Sequence, residues 1–275
     1  RDNKAAFVQH SFNGERFGSE LGMRHDDNQQ FGSENTFNGA LSYQLNADNQ
    51  LILSYAEGFR TPTFADLYWP WDAGYQGNPN LSPEKSRSYE LQWRSQLGPA
   101  TQLEASLYRT DYRSLIVFVS DPVTWESTMG NVDRARVNGL EASLKHEFYG
   151  WQGELGLSVI DPRNRKNGHT LQNRAKRTLN LNMDREFGDF AVGASWQAVS
   201  SSYANADNTS RLPGYGVLDL RASWQASSEL AFDMKLGNVL DKNYSRLTYS
   251  YGGTEYGYRE MPFTAMLGVT WTPRF

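Results

Sequence analysis

The sequence predicts an all-β fold, an antiparallel transmembrane β-barrel sheet of about thirteen strands. Three observations carry that prediction. Apolar and polar residues alternate with period two along most of the chain, the mark of strands with two different faces. The connections between these segments are short and long in turn, as in bacterial barrels, which have tight turns on one side of the membrane and extended loops on the other. Aromatic residues make up 13% of the 275 residues, with 15 Tyr and 8 Trp, the types that membrane interfaces favour.

Composition narrows the classes of function. A net charge of −4 leaves no basic footprint for nucleic acid. The absence of cysteine removes disulfide frameworks and thiolate metal sites. Mean hydropathy is low, −0.66. The longest apolar run, 115–119, falls far short of the roughly 20 residues of a membrane helix. Helical spans are therefore excluded. Barrel strands are not, because each is apolar on one side only and a polar lumen lowers the average. The chain opens on Arg1-Asp2-Asn3 without a start methionine, which reads as a fragment boundary and says nothing for the cytoplasm.

The strands follow in order. Residues 35–45 place Phe37, Gly39, Leu41, Tyr43 and Leu45 on one face, and Asn38, Ala40, Ser42 and Gln44 on the other. Residues 89–97 set Tyr89, Leu91, Trp93 and Leu97 against Glu90, Gln92 and Arg94. Leu179, Leu181 and Met183 oppose Asn180, Asn182 and Asp184. Leu218, Leu220, Ala222 and Trp224 oppose Asp219, Arg221 and Ser223. Leu230, Phe232, Met234 and Leu236 oppose Asp233 and Lys235. A one-residue slip would turn Arg94 or Lys235 into lipid, at roughly 2–4 kcal/mol for a basic group near the midplane. The alternation therefore constrains register strongly. Short turns are expected at 13–15, 46–49, 98–99, 149–150, 188–189 and 226–229. Long loops are expected at 27–34, 58–83, 114–129, 161–173, 200–213 and 239–258. A propeller would repeat about every 40–50 residues, and no such repeat is present. A soluble β-sandwich also alternates, but the bulky aromatics on outward rows and the loop asymmetry favour the barrel.

The last strand alternates Phe263, Ala265, Leu267, Val269, Trp271 and Pro273 with Thr264, Met266, Gly268, Thr270, Thr272 and Arg274, and ends on Phe275. Two readings fit. One is an edge strand that happens to end in Phe. The other, favoured by the rest of the chain, is a sorting signal carried by Trp271 and Phe275, similar to the one that barrel-assembly machinery reads on outer-membrane proteins.

The most informative stretch is 54–93. It contains Gly58-Phe59-Arg60-Thr61-Pro62, then Leu67-Tyr68, then Gly77-Asn78-Pro79-Asn80-Leu81-Ser82-Pro83-Glu84-Lys85-Ser86, and Glu90. Near the end comes Gly237-Asn238-Val239-Leu240-Asp241-Lys242-Asn243-Tyr244. These runs resemble TonB-dependent outer-membrane receptors. The resemblance spans nearly the whole chain and corresponds to the C-terminal portion of the family's barrel. It implies that residues 1–275 are later barrel strands, with the plug domain, the TonB-binding segment and the first strands outside them. It also implies a Gram-negative outer membrane, a large imported ligand, TonB acting through the N-terminal region, and lipopolysaccharide and assembly machinery as partners. No cofactor and no catalytic residue are implied. Physically, Pro62, Pro79 and Pro83 cannot donate ladder bonds and belong outside central strands, so most of these motif residues are expected to shape the loop and rim.

Ligand candidates lie on the long loops. Tyr68, Trp69, Trp71 and Tyr75 crowd one loop, and Tyr244, Tyr249, Tyr251 and Tyr256 another. Aromatics on loops held by a rigid scaffold suit a large, partly apolar ligand. An upper interfacial girdle accounts for them equally well. The segment Asp161-Pro162-Arg163-Asn164 through Asn173-Arg174-Ala175-Lys176 resembles one in cobalamin receptors, except that Asn173 stands where the first arginine of a pair is expected. A basic loop facing lipopolysaccharide phosphates is the competing reading. Haem receptors share parts of the first motif but place a His within it, and residues 63–77 contain none. Cobalamin is the favoured ligand and a ferric siderophore the alternative. An outer-membrane hydrolase is the rival from another class. His25-Asp26-Asp27 near the outer rim is its best case, and strand geometry throws neighbouring side chains to opposite faces. No metal site is indicated.

Overall fold

In the computed structural model every residue is described except 122, 125, 252, 253, 274 and 275; for 133, 249–251, 254 and 255 the backbone alone is described. The chain runs β1 (Asn3–Asn13), β2 (Phe17–Asn28), β3 (Gly32–Asn46), β4 (Asn49–Arg60), the helix α1 (Phe64–Tyr68), β5 (Tyr75–Gln76), β6 (Glu84–Gly98), β7 (Thr101–Ser120), β8 (Ser127–Phe148) and β9 (Trp151–Asn164). It continues through β10 (Arg177–Phe187), β11 (Phe190–Val199), β12 (Ser202–Tyr203), β13 (Arg211–Leu212), β14 (Tyr215–Gln225), β15 (Leu230–Gly237), β16 (Ser245–Tyr251), β17 (Thr254–Arg259) and β18 (Thr264–Trp271). Thirteen of these strands form one antiparallel meander in the order β1-β2-β3-β4-β6-β7-β8-β9-β10-β11-β14-β15-β18. Among the described residues, β1 pairs within it only with β2, and β18 only with β15.

The register turns the sequence alternation into lateral apolar rows. Leu41 faces Leu53, which faces Leu91, then Leu107, Leu140 and Val159 across six strands. A second row starts near the short turns at Leu103, Leu144 and Leu155 and continues through Leu181, Trp196 and Leu218 toward the long-loop ends of their strands. In a soluble sandwich such rows would be buried against a second sheet. Here Leu53 and Leu107 are each 56% exposed, and the few buried apolar residues sit elsewhere. An apolar face that large and open is a lipid-facing wall. Aromatic contacts mark its lower border beside the short turns: Phe17 with Tyr43, Trp151 with Phe187, and the stack Phe190–Trp224–Phe232.

The opposite face is polar. Gln9 donates to Glu20 at 2.7 Å, Arg94 lies 3.9 Å from Glu104, and Arg221 donates to Asp184 at 2.8 Å and Ser195 at 2.7 Å. The strand phase that puts Arg94 here puts Trp93 and Leu91 on the lipid side, as the alternation predicts.

All six short turns lie where expected, but the long connections differ in detail. The expected loop 27–34 shrinks to 29–31, because Asp27 and Asn28 pair with Ser33 and Gly32. The expected loop 114–129 shrinks to 121–126. Residues 115–119 are β-branched, aromatic or leucine, and they pair with 128–132 so that β7 and β8 run well past the 9–11 residues of a span. The segment 200–213 contains the β12–β13 ladder, and 239–258 contains most of the β16–β17 ladder.

Candidate functional site

The loop 58–83 is built from its own sequence signals. The Thr63 hydroxyl accepts from the Asp66 backbone N–H at 3.1 Å, and the Asp66 carboxylate accepts from the Thr63 N–H at 2.9 Å. This capping box starts α1. The helix delivers Leu67 into a small core with Leu81 and Ile116, flanked by Phe31 and Met129. Asn78 ties the chain down on both sides. Its N–H donates to the Asp66 carbonyl at 2.7 Å, its Nδ2 to the Met129 carbonyl at 3.0 Å, and its Oδ1 accepts from the Asn80 N–H. A Cβ at Gly77 would stand 2.6–2.7 Å from backbone atoms of Leu67, Tyr68 and Trp69, so only glycine fits there. From β8, Asn131 accepts from the Ser82 N–H at 2.9 Å and donates to the Ser114 carbonyl at 2.7 Å. The motif residues Gly77, Asn78 and Leu81 thus hold the loop in shape.

That scaffold presents aromatic faces outward. Tyr68 closes α1, and its hydroxyl accepts from Gln30 at 2.7 Å. Trp69 and Trp71 are 48% and 63% exposed. Tyr75, in β5, stacks on Phe118 with centroids 6.0 Å apart, and burial followed by the nearby Asp66 charge raises its hydroxyl pKa. The Phe118 carbonyl accepts from Gln172 Nε2 at 2.7 Å, immediately before Asn173 and Arg174. Asn173 takes a left-handed φ of 55°, and its N–H donates to the Tyr203 carbonyl at 2.7 Å. Arg174 is exposed and has no side-chain partner among the described residues. Asp161 holds Arg163 at 2.7 Å and Lys176 at 3.6 Å, while Thr170 and Asn208 exchange hydrogen bonds at 2.8 Å. The loops 58–83, 165–176 and 200–213 are therefore linked to one another and to the end of β7 through Phe118, Gln172, Asn173 and Asn208.

The structure joins Tyr75 to the neighbourhood of Asn173 and Arg174, and places Tyr68, Trp69 and Trp71 on the same capped loop. Tyr249 and Tyr251 lie on β16, whose partner is β17 and which approaches β13; their side chains lie outside the described ones. At the foot of that hairpin Tyr244 stacks on Tyr215 at 4.2 Å, and Asn238 donates to the Lys242 and Met261 carbonyls. The motif beginning at Gly237 is thus also a loop foot. Trp271 ends β18 opposite Leu230, and Phe275 lies outside the described residues.

Phe118, Gln172 and Asn208 were not among the sequence candidates. Phe118 has a legible signal, since 115–119 continues the strand alternation with no turn residue before Asp121. Gln172 and Asn208 act through contacts between distant loops and carry none. The residues offered for the hydrolase reading are held apart. His25 Nδ1 lies 2.7 Å from Asn35 Oδ1, whereas Asp26 is engaged by Arg24 at 2.8 Å on the other face. Among the described residues no group of three His, Asp or Glu side chains is placed to hold a metal.

Comparison with known proteins agrees with this geometry. Residues 1–247 match the family model described as TonB dependent receptor-like, beta-barrel. The chain is 31% identical over 256 residues to a protein of Vibrio vulnificus named Vitamin B12 transporter BtuB, covering 93% of this chain and 40% of that one. It is 28% identical over 264 residues to the protein of that name from Photobacterium profundum, covering 93% and 42%. It thus spans about two fifths of the relatives it matches. Among solved structures it superposes on the copper transporter OprC with a TM-score of 0.80 at 18% identity, covering 98% of this chain and 48% of that one. A ferric enterobactin receptor mutant from Pseudomonas aeruginosa in complex with enterobactin gives 0.80 at 19%, covering 98% and 45%. At those identities the likeness is one of fold.

Proposed function

The chain belongs to the TonB-dependent receptor-like β-barrel family, and from that membership we propose that it is the later part of a Gram-negative outer-membrane receptor that imports cobalamin. In this reading the plug and the TonB-binding segment lie outside residues 1–275. TonB acts through that segment, barrel-assembly machinery inserts the protein, and lipopolysaccharide surrounds it. The protein transports and catalyses no covalent step. The observation that carries the substrate is the 31% identity, over 93% of this chain, to a protein named for vitamin B12 transport.

The loop cluster supports the reading chemically. A corrinoid has apolar edges, amide arms and a nucleotide tail. Exposed Trp69 and Trp71 offer faces for the first, and Asn173 and Arg174 offer donors for the others. Tyr68, Tyr75, Tyr249 and Tyr251 are assigned to the same capture surface. One observation favours a ferric siderophore instead: Arg174 is an exposed cation with no partner among the described residues, and such a group draws anionic ligands.

The test is growth of a cobalamin-dependent strain carrying the full-length protein, with ferric-chelate uptake measured beside it. Cobalamin-dependent growth is expected. Growth restored only by ferric chelates decides for the siderophore. Trp69→Ala with Trp71→Ala, and separately Arg174→Ala, are expected to weaken ligand binding by about tenfold or more. Unchanged binding in both variants removes the site assignment while leaving the substrate open.

A further inference from the structure

On the lipid-facing wall, above the apolar rows, the register builds a graded surface. Two residues above Leu53 and Leu91 stand Tyr55 and Tyr89, paired across the strands with ring centroids 5.1 Å apart. Two residues further is a charged row in register: Glu57, Arg87, Asp111, Arg136 and Arg163. This row is largely self-satisfied. Arg87 lies 3.2 Å from Glu57, and Asp111 receives Arg136 at 2.6 Å and Arg109 at 2.9 Å.

The next row is different. Arg113 faces Arg134 directly, and the Arg165 N–H donates to the Arg134 carbonyl. All three are exposed, and among the described residues none has an ion-pair or hydrogen-bond partner for its guanidinium. Lys85, opposite Arg113, is held by Glu34 at 2.6 Å. Like charges directly opposite on adjacent strands are destabilising. Three bare guanidinium groups in line therefore lack an internal reason, and an anion shared between them supplies one. They border a groove of about 690 Å³.

We propose that this groove on the outer wall, built on Arg113, Arg134 and Arg165, holds the phosphorylated headgroup of an outer-leaflet glycolipid. Its acyl chains lie down the rows that contain Leu53, Leu91 and Leu107. Arg113 is six residues above Leu107, about 20 Å along a tilted strand. An interfacial headgroup sits at that level when its chains cover the apolar face. The guanidinium fork matches phosphate oxygens in bidentate geometry. A lipid is favoured over a free anion because the cations continue an apolar and aromatic face toward the membrane surface, and do not point into the lumen. The proposal rests on the outer-membrane location given above, and it is independent of which nutrient is carried.

The test uses the full-length protein in detergent, with lipid retention read by native mass spectrometry. The probes are a hexa-acylated disaccharide lipid A carrying two phosphates, the same lipid with both removed, and inorganic phosphate. The bisphosphorylated lipid is expected to bind at least about tenfold more tightly than the dephosphorylated form. Replacing Arg113→Gln, Arg134→Gln and Arg165→Gln together should abolish that preference. The single inversion Arg134→Glu should do so as well, and serves if the triple variant fails to fold. Equal retention of both lipids by the wild type, or an unchanged preference in Arg134→Glu, overturns the proposal. Inorganic phosphate bound as tightly as the lipid overturns the lipid assignment in favour of a free-anion site. Because lipid retention is the readout, failure of the cobalamin test leaves this result unaffected, and failure here leaves the transport reading intact.

Discussion

Leu67 is 1% exposed, yet it lies in a five-residue helix on a loop. A side chain so placed decides whether the candidate capture surface is held in one shape. Leu67→Ala is expected to cost about 2–5 kcal/mol of local stability, through lost burial and the cavity left behind. Hydrogen exchange should show faster opening of residues 63–81 with no change in the spanning strands. Unaltered exchange there would mean that the loop does not depend on this core. A second residue-scale prediction concerns pH. The Asp121 carboxylate accepts from the Thr124 and Val123 N–H groups, and those bonds hold its pKa below the usual carboxylate value. Its contribution to ordering the tip of the β7–β8 hairpin is therefore fully present above about pH 4, the ordinary carboxyl value. It fades as pH falls through the lower folded value. Amide exchange of Val123 and Thr124 followed downward from neutral pH should show that loss, and Asp121→Ala should remove the pH dependence.

At the scale of the element, each strand is defined by which of its two faces meets lipid. Leu107 stands between Leu91 and Leu140 in an apolar row six strands wide, and Ser106, one residue away, faces Gln92 and Glu141 in the polar wall. Leu107→Arg is expected to destabilise the folded protein in lipid by about 2–4 kcal/mol, whereas Ser106→Arg should cost well under about 1 kcal/mol. Denaturant titration of the two variants in vesicles makes the comparison. Equal costs would mean that the face assignment of β7 is wrong. The same element shows why the loop 114–129 expected from the sequence is shorter in the structure. Alternation says where a strand can lie, but it is silent on where the membrane stops. β7 and β8 continue past the bilayer because residues 115–119 find partners in 128–132.

At the scale of the molecule, the sheet has two ends. Among the described residues β1 and β18 each have a single neighbour in the meander, which leaves one backbone edge of each open. Unsatisfied backbone groups in hydrocarbon cost several kcal/mol apiece. Residues 1–275 expressed alone in vesicles are therefore expected not to reach a heat-resistant closed barrel, and not to transport. A compact, heat-resistant band from this chain alone would refute that expectation. Supplying the strands that complete the sheet should restore the form.

The all-β class, the spanning strands, their short turns and the face that each presents to lipid are legible in the chain before any folding is known. These are local properties: period two is imposed by strand geometry, and the penalty for turning Arg94 or Lys235 into lipid selects one of two phases. Family motifs around Asn78 and Asn238 were legible too, although their work as loop feet was not visible until Asn78 reached Met129 and Asn238 reached Met261. Which loops meet is settled by folding in three dimensions. Phe118 under Tyr75, Gln172 on the Phe118 carbonyl and Asn208 on Thr170 are contacts between segments tens of residues apart, and no periodicity encodes them. Folding likewise brings Arg113, Arg134 and Arg165 into one line. Their row is a product of strand register, which depends on how neighbouring strands pair and not on any one strand's pattern.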